Sequence, residues 1–321
     1  MSKIAFLFLT IGDVFHPKLW EDYFLECPQK ASIYVHPKYP KQVSLEWMTK
    51  NIISKLVPTR WGYLTQAFYQ LLQQAYQDSQ NKHFIFISDS CIPITKLSVF
   101  WEFVSSFPLR TSFIHFKEGI DQYDWDKKIK KQPGFDNYSL RKHEGLGNCL
   151  SRYHVSQLLK RKSDFVGFFN KLNCGDEFYL SLLKEDKFIH DQQMTSYNWE
   201  EGRQKISLIN SEMDQIYQQA ERNHINKIKK KLHSLKRKGG SHSAINRLKK
   251  TLKRIGHQDN QHLLSKKQLN KLKELRIKKS ILGKHPKEYQ QISAVEIETL
   301  KKEGYFFIRK VKQEAILNFL N

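Results

Sequence analysis

The sequence predicts an α/β protein with an open, mostly parallel sheet that is flanked by helices. Three short runs, 3–10, 31–36 and 84–88, are rich in aliphatic, aromatic and β-branched residues, which is typical of buried strands. Helical patterns of apolar residues separate these runs, and such alternation favours a parallel sheet with right-handed crossovers. A lysine-rich stretch with leucines and isoleucines three or four residues apart predicts a basic helical insertion near the C-terminus.

The first half of the chain supplies most of this sheet. Its predicted elements are a strand over 3–10, a helix over 17–27, a strand over 31–36, a helix over 64–77, a strand over 84–88, a helix over 97–107 and a strand over 111–116. A polar, irregular stretch over 117–147 follows, and an excursion of this length inside a domain usually carries function or is mobile.

The second half begins with a strand and a helix over 149–160, for which Ser151 is the predicted N-cap. The pattern then predicts a helix over 172–183, a short strand or turn over 194–202, a helix over 294–302, a strand over 304–311 and a short helix over 315–320. Asp176 and Glu177 fall in the first turn of the predicted helix 172–183. Acidic residues there stabilise the helix dipole, or one of them is a general base that faces a cleft.

Charge is concentrated in one region of the chain. The 321 residues carry a net charge of +22, and residues 222–284 hold 21 Lys and Arg against only Asp259 and Glu274. We therefore predict three parts: a catalytic-type core over 1–215, a basic helical insertion over 216–283 and a C-terminal segment over 284–321 that returns to the core. The insertion is either a solvated helical hairpin or an attachment to nucleic acid or an anionic surface.

Cysteine usage and hydropathy favour a soluble, cytoplasmic protein. The four cysteines show no spacing typical of a zinc site or a disulfide framework. The apolar run at the N-terminus is too short for a signal peptide, and no run approaches the roughly 20 residues of a membrane span.

The strand over 84–88 ends in a polar cluster, Ser88-Asp89-Ser90, which is followed by Pro93. In open α/β sheets, ligands bind at the carboxyl ends of the strands. The cluster is therefore either part of a binding site or a set of side chains that cap a turn.

Eight segments in order carry a family resemblance. They are KIAFLFLT with SIYVHPK, the Trp61-Gly62 turn, FISDSCIPI, LSRYHV, GDEFYLSLL, SYNWEEG, HPKEY and GYFFIRKV. Together they resemble the core-2/I-branching β-1,6-N-acetylglucosaminyltransferases and xylosyltransferases, which form glycosyltransferase family 14. The resemblance covers residues 3–210 and 284–320, and the basic block lies outside it.

The resemblance implies a GT-A-like fold and an inverting transfer of a sugar, GlcNAc or xylose, from a UDP-sugar to a glycan or glycoprotein acceptor. The family lacks the Asp-x-Asp metal site of other such folds. Here Asp89 is the single acidic residue in FISDSCIPI. The resemblance therefore implies a metal-independent enzyme with no cofactor besides its donor substrate.

The resemblance also assigns roles to residues. Glu177 matches the general base, Lys310 matches a lysine that binds the UDP diphosphate, and Arg309 lies beside it. The aromatic residues Tyr197 and Trp199 match the acceptor site. The remaining donor-site candidates end strands: Thr10, His36 and Asp89, of which His36 stands where the family often has an acidic residue that holds uracil.

This assignment agrees with the chemistry of inversion. One in-line displacement needs one carboxylate to take the acceptor proton, and cationic side chains can stabilise the departing UDP without a metal. Two other hypotheses remain open. One is a metal-dependent enzyme of the same fold that uses Asp89, and the other is a non-catalytic protein that binds nucleic acid or an anionic surface. No aromatic residue interrupts the basic block, which argues against recognition of single-stranded bases.

Overall fold

The structure is a computed structural model that describes residues 2–117, 134, 138–198, 200–238, 241, 243–244, 246–249, 264–282 and 288–317. The strands are β1 (Lys3–Thr10), β2 (Ala31–Pro37), β3 (Asn81–Ser88), β4 (Ile92–Pro93), β5 (Ser112–Phe113), β6 (Cys149–Ser151), β7 (Ile189–His190), β8 (Thr195–Tyr197), β9 (Tyr289–Ile292), β10 (Phe307–Arg309) and β11 (Val311–Leu317). The α-helices are α1 (Pro17–Glu26), α2 (Glu46–Thr49), α3 (Thr65–Tyr76), α4 (Leu97–Ser105), α5 (Arg152–Lys160), α6 (Glu200–Arg237), α7 (Lys266–Leu282) and α8 (Ala294–Lys302).

Six strands form the central sheet, in the order β2-β1-β3-β6-β5-β7. The strands β2, β1 and β3 are mutually parallel, β6 is antiparallel to both β3 and β5, and β5 is parallel to β7. The predicted fold class, a mostly parallel sheet flanked by helices, is therefore confirmed, and it is consistent with a GT-A-like fold.

Burial on both faces explains why β1 and β3 are almost entirely apolar. Successive side chains of a strand point to opposite faces, so a strand covered on both sides is apolar at every position. In β1, Leu7 packs with Phe68 and Leu71 of α3 on one face, while Phe6 and Phe8 pack on the other face among the aromatic side chains of α1 and α4.

The C-terminal segment returns to this core. β10 lies between β4 and β8, antiparallel to the first and parallel to the second, and β11 pairs with β9. Phe307 of β10 is fully buried, and its ring lies 6.1 Å from that of Trp20 and 5.1 Å from that of Phe100, measured between centroids. The predicted helix over 315–320 is wrong in its described part, because residues 315–317 continue β11.

Ser151 caps α5 as predicted, with its Oγ accepting a hydrogen bond from the backbone N–H of His154. The four cysteines are not joined in disulfides. Across the described ranges, no helix combines the length and apolarity that a membrane crossing requires.

The chain divides into two compact units, Met1–Tyr197 with Glu288–Asn321, and Asn198–Lys287. The second unit contains α6 and α7, which pack through Ala220, Leu264 and Leu272. Its helical character agrees with the predicted basic insertion, although α6 begins at Glu200, before the predicted boundary at 216.

Several predicted features lie outside the described residues. These are Trp199, most of the polar stretch 117–147, parts of the basic insertion over 216–283 and residues 318–320 of the predicted C-terminal helix.

Candidate functional site

The ends of β1, β2 and β3 bring the predicted donor-site residues to one edge of the sheet. Leu9 pairs with His36 on one side and with Ser88 on the other. Asp89 follows β3, and its Oδ2 accepts a hydrogen bond of 3.0 Å from the backbone N–H of Ile11, directly after Thr10. The buried Thr10 Oγ1 has no hydrogen-bond partner within the described ranges. The sheet register thus places Thr10, His36 and Asp89 side by side.

His36 is fully buried beneath this edge. Its Nε2 accepts a hydrogen bond of 3.0 Å from the backbone N–H of Val57, so this nitrogen carries no proton. Burial lowers the pKa of His36. The imidazole therefore ties the end of β2 to the loop that contains Val57.

β10 delivers Arg309 and Lys310 to the same edge. The backbone N–H of Val311 donates to the carbonyl of Ser90 at 2.8 Å, which fixes the strand end beside Asp89. Burial raises the pKa of Asp89, and the hydrogen bond from Ile11 and the charges of Arg309 and Lys310 oppose that rise. Burial and the neighbouring Arg309 lower the pKa of Lys310. Two cations and one carboxyl group therefore share the end of the sheet.

Tyr197 lies directly under Arg309. The two residues pair in register between β8 and β10, and the guanidinium carbon lies 5.7 Å from the centroid of the tyrosine ring. The Tyr197 hydroxyl donates to the carbonyl of Leu146 at 2.7 Å. Because the ring is only 8% exposed, Tyr197 supports Arg309 and the loop at Leu146 in this structure, and its predicted contact with an acceptor stays a prediction.

The predicted helix over 172–183 is wrong. The segment forms two 3₁₀ turns, Gly175–Glu177 and Tyr179–Leu183. The reason lies in hydrogen bonds from a distant segment: the Leu180 N–H donates to His143 Nε2 at 3.2 Å, and the Glu177 carbonyl accepts from the His143 N–H at 2.9 Å. These backbone groups would otherwise make the i to i−4 bonds of an α-helix.

A close approach at Gly175 also constrains this turn. A Cβ atom at Gly175 would lie 1.9 Å from the carbonyl oxygen of Phe169, and Cys174 before it has a φ of 57° in the left-handed region. The backbone therefore passes Phe169 at a distance that only glycine allows. The carboxylates of Asp176 and Glu177 are held by a tight turn rather than by a helix N-terminus.

The two carboxyl groups of this turn have different environments. Glu177 is partly exposed, and its Oε2 lies 2.6 Å from Lys142 Nζ. Asp176 is buried, and its Oδ1 has no hydrogen-bond partner among the described residues. Burial and the charge of Glu177 raise the pKa of Asp176 to about 7, while the charges of Arg309 and Lys142 oppose the rise. The same Arg309 guanidinium thus acts on Asp89 at the sheet edge and on Asp176 beside Glu177.

A glycine-rich loop over 144–147 completes the site. A Cβ atom at Gly145 would lie 2.8 Å from Asp176 Oδ2 and 3.7 Å from the Cγ of Glu177, so this loop lies against the carboxylate turn. Glu144 is buried and forms an ion pair with Lys117. The predictions omitted Lys142 and Glu144 from the site and assigned the base role to Glu177 rather than Asp176. Glu-Gly-x-Gly within a polar stretch was a usable signal for close backbone approach.

Among the described residues, no group of three or more His, Cys, Asp and Glu side chains is placed to hold a metal ion. The cations and carboxylates described above have the chemistry for proton transfer and for binding a phosphorylated ligand. A carboxylate can accept a proton, and Arg and Lys can bind a phosphate or diphosphate.

The N-terminal part of the chain is similar to a known family of enzymes. Residues 4–144 match the family model described as core-2/I-branching enzyme. The predicted family resemblance is thereby confirmed over these residues, which contain the first three of the eight segments from Ile4 onward, and the family points to a glycosyltransferase.

The chain is also similar to the glycosyltransferase BC10 of Oryza sativa subsp. japonica, with 27% identity over 122 residues. The alignment covers 35% of this chain and 30% of the relative, so the chain spans less than a third of that protein. Thr10, His36 and Asp89 lie within the part that matches the family model, whereas Glu177, Tyr197, Arg309 and Lys310 follow it in the chain.

Proposed function

We propose that the chain is an inverting glycosyltransferase that moves a sugar from a UDP-sugar to an acceptor hydroxyl. The observation that carries this proposal is the position of Arg309. It lies at the sheet edge with Asp89 and Lys310, and its charge also acts on Asp176, the neighbour of Glu177. One site thus combines cations for a leaving diphosphate with a carboxylate for the attacking hydroxyl.

In the proposed reaction, Glu177 takes the proton of the acceptor hydroxyl as its oxygen attacks the anomeric carbon of the donor. The bond between that carbon and the diphosphate breaks, and UDP leaves as an anion. Arg309 and Lys310 stabilise the negative charge that develops on the diphosphate. Lys142 contacts Glu177 Oε2 and so orients the base.

The donor most compatible with the family resemblance is UDP-GlcNAc or UDP-xylose, with a glycan or glycoprotein as acceptor. The proposed reaction needs no metal, because two fixed cations lie at the donor edge. A metal-dependent reaction through Asp89 is the alternative. Turnover that is stimulated by Mn²⁺ and lost with EDTA would favour that alternative.

The test measures UDP release from candidate UDP-sugars in EDTA. Glu177→Gln is expected to lower turnover by at least about a hundredfold, because the amide cannot accept the proton, while UDP binding measured by calorimetry stays largely intact. Glu185→Gln is the matched control, since that side chain is 87% exposed and forms an ion pair with its neighbour Lys184. Full turnover in Glu177→Gln would refute the assignment of the base.

A further inference from the structure

The second unit contains a long stretch of sequence whose charges are all positive. Residues 222–258 hold 13 Lys and Arg, and no acidic residue occurs between Glu221 and Asp259. A solvated protein surface usually mixes both signs, because like charges repel one another at short distance. The ion pair between Lys271 and Glu212 in this unit involves a different part of the helix pair. An anion from outside the chain would relieve the repulsion between the positive charges of this stretch.

The helix α6 arranges four of these cations on one side. Residues seven apart lie close together on a helix, and two adjacent pairs of this kind cover about a third of its circumference. Lys229, Lys230, Lys236 and Arg237 therefore form a cationic face, and all four side chains are exposed. We call these four residues the basic face.

The apolar side chains of the same stretch lie on a different side of α6 from the basic face. Ile228 is only 7% exposed, and Leu232 and Leu235 are half-buried. They follow i, i+4, i+7 spacing on another side of α6 and are withdrawn from solvent. The basic face consequently has no apolar wedge to insert, and it can bind only at the surface of its partner.

A shallow depression of about 800 Å³ lies at this face. It is lined by Lys229, Lys230, His233, Ser234, Arg237 and Lys238. Four of these six side chains are Lys or Arg, and the other two can hydrogen-bond to a phosphate oxygen. The depression is large enough for a phosphate-bearing headgroup.

We propose that the basic face binds the headgroups of a bilayer that contains anionic phospholipids. A helix presents cations that are seven residues apart in a row along its axis, which matches a flat array of headgroup phosphates. Nucleic acid is the competing class of partner. The sequence disfavours it, since residues 218–258 contain no Phe, Tyr or Trp side chain for base stacking. The cations of residues 222–238 are also mostly lysines, whereas bidentate recognition of bases and phosphates uses arginine.

The test is co-sedimentation of the full chain with vesicles of phosphatidylcholine alone or with about 30% phosphatidylglycerol, at about 0.15 M salt. We expect binding to the anionic vesicles alone, with a steep loss as salt rises. Replacing the four residues of the basic face by Gln should weaken partitioning by several hundredfold, at about fivefold for each cation removed. The matched control replaces four exposed lysines of the first unit by Gln: Lys41, Lys55, Lys162 and Lys171.

Loss of vesicle binding in the basic-face variant, with binding retained in the control, supports the proposal. Absence of binding to anionic vesicles at this salt overturns it, as does equal loss in both variants. A duplex oligonucleotide is the competitor. If it displaces the chain from vesicles at a concentration of phosphate far below that of the lipid, nucleic acid is the preferred partner and the proposal is wrong.

Circular dichroism checks that both variants keep their helices. UDP release, measured in parallel without vesicles, separates this result from the proposed transferase activity.

Discussion

Asp176 carries a carboxyl group of the site whose charged form is disfavoured by burial and by a neighbouring negative charge. Its carboxyl group is buried beside Glu177 and against Gly145, and its pKa is raised to about 7. A carboxyl group that stays protonated up to neutral pH places less negative charge next to the proposed base. The native state therefore holds a proton that the unfolded chain releases near pH 4.

This difference predicts a pH dependence of stability. Between about pH 4 and pH 7 the native state binds more protons than the unfolded state, so Asp176 makes the free energy of unfolding fall as pH rises. Asp176→Asn removes this dependence while it keeps the shape of the side chain. We compare the free energy of unfolding of the variant with that of the original chain, by urea unfolding at pH 5 and at pH 8. The difference in favour of the variant should be larger at pH 8 by on the order of 2 kcal/mol. A stability difference that is identical at the two pH values would contradict the assignment.

Gly147 tests the backbone of the loop over 144–147. Its φ is 80°, and a Cβ atom there would lie 2.4 Å from Thr195 Oγ1. Gly147→Ala should therefore lower the free energy of unfolding by about 1–3 kcal/mol, measured by urea denaturation. Gly167→Ala is the matched control, because a Cβ atom at Gly167 meets nothing within 4 Å. Equal stability of the two variants would show that the loop can relax around the new methyl group.

At the scale of elements, β10 joins the end of the chain to its beginning. Phe307 is buried among Phe6, Trp20, Tyr23 and Phe100, which come from β1, α1 and α4. Arg309 follows two residues later in the same strand. The packing of Phe307 therefore fixes where the proposed diphosphate cations lie.

Phe307→Ala is expected to lower the free energy of unfolding by about 3–5 kcal/mol, because it leaves a cavity in a close-packed aromatic cluster. Val295→Ala in α8 is the control, since Val295 is 78% exposed and should change stability by less than about 0.5 kcal/mol. Thermal or urea unfolding measures both. A small effect at Phe307 would mean that the C-terminal segment contributes little to the core.

At the scale of the whole molecule, the chain separates catalytic-type residues from excess charge. The proposed catalytic and donor residues that the structure describes belong to the first unit, while residues 222–284 carry 19 of the 22 net positive charges. Each unit has its own group of buried apolar residues. Folding of the first unit should therefore not depend on the second.

Replacing residues 198–287 by a flexible Gly-Ser linker of about 12 residues tests this independence. We expect a cooperative thermal transition and retained binding of UDP, measured by calorimetry, because Asp89, Arg309 and Lys310 all remain. Donor binding is the proper readout, since the deletion removes Trp199, a predicted acceptor contact. Loss of the cooperative transition would show that the two units fold as one.

The sequence alone determined the buried strands, the flanking helices and the residues at the strand ends. Continuous apolar runs such as 84–87 and helical periodicity such as that of α3 are local properties, so they can be read without knowledge of distant segments. The order of the eight family segments likewise identified the core-2/I-branching resemblance, which the match over residues 4–144 confirmed.

Only the tertiary structure decided how the site is assembled. His143 accepts a hydrogen bond from the Leu180 N–H and donates one to the Glu177 carbonyl, so the predicted helix over 172–183 becomes two 3₁₀ turns. The charge of Arg309 acts on both Asp89 and Asp176 because β10 pairs with β4 and β8, which precede it by more than 100 residues. Pairing between distant segments leaves no periodic trace in the sequence, since its free energy comes from burial and hydrogen bonds that form only in the folded chain.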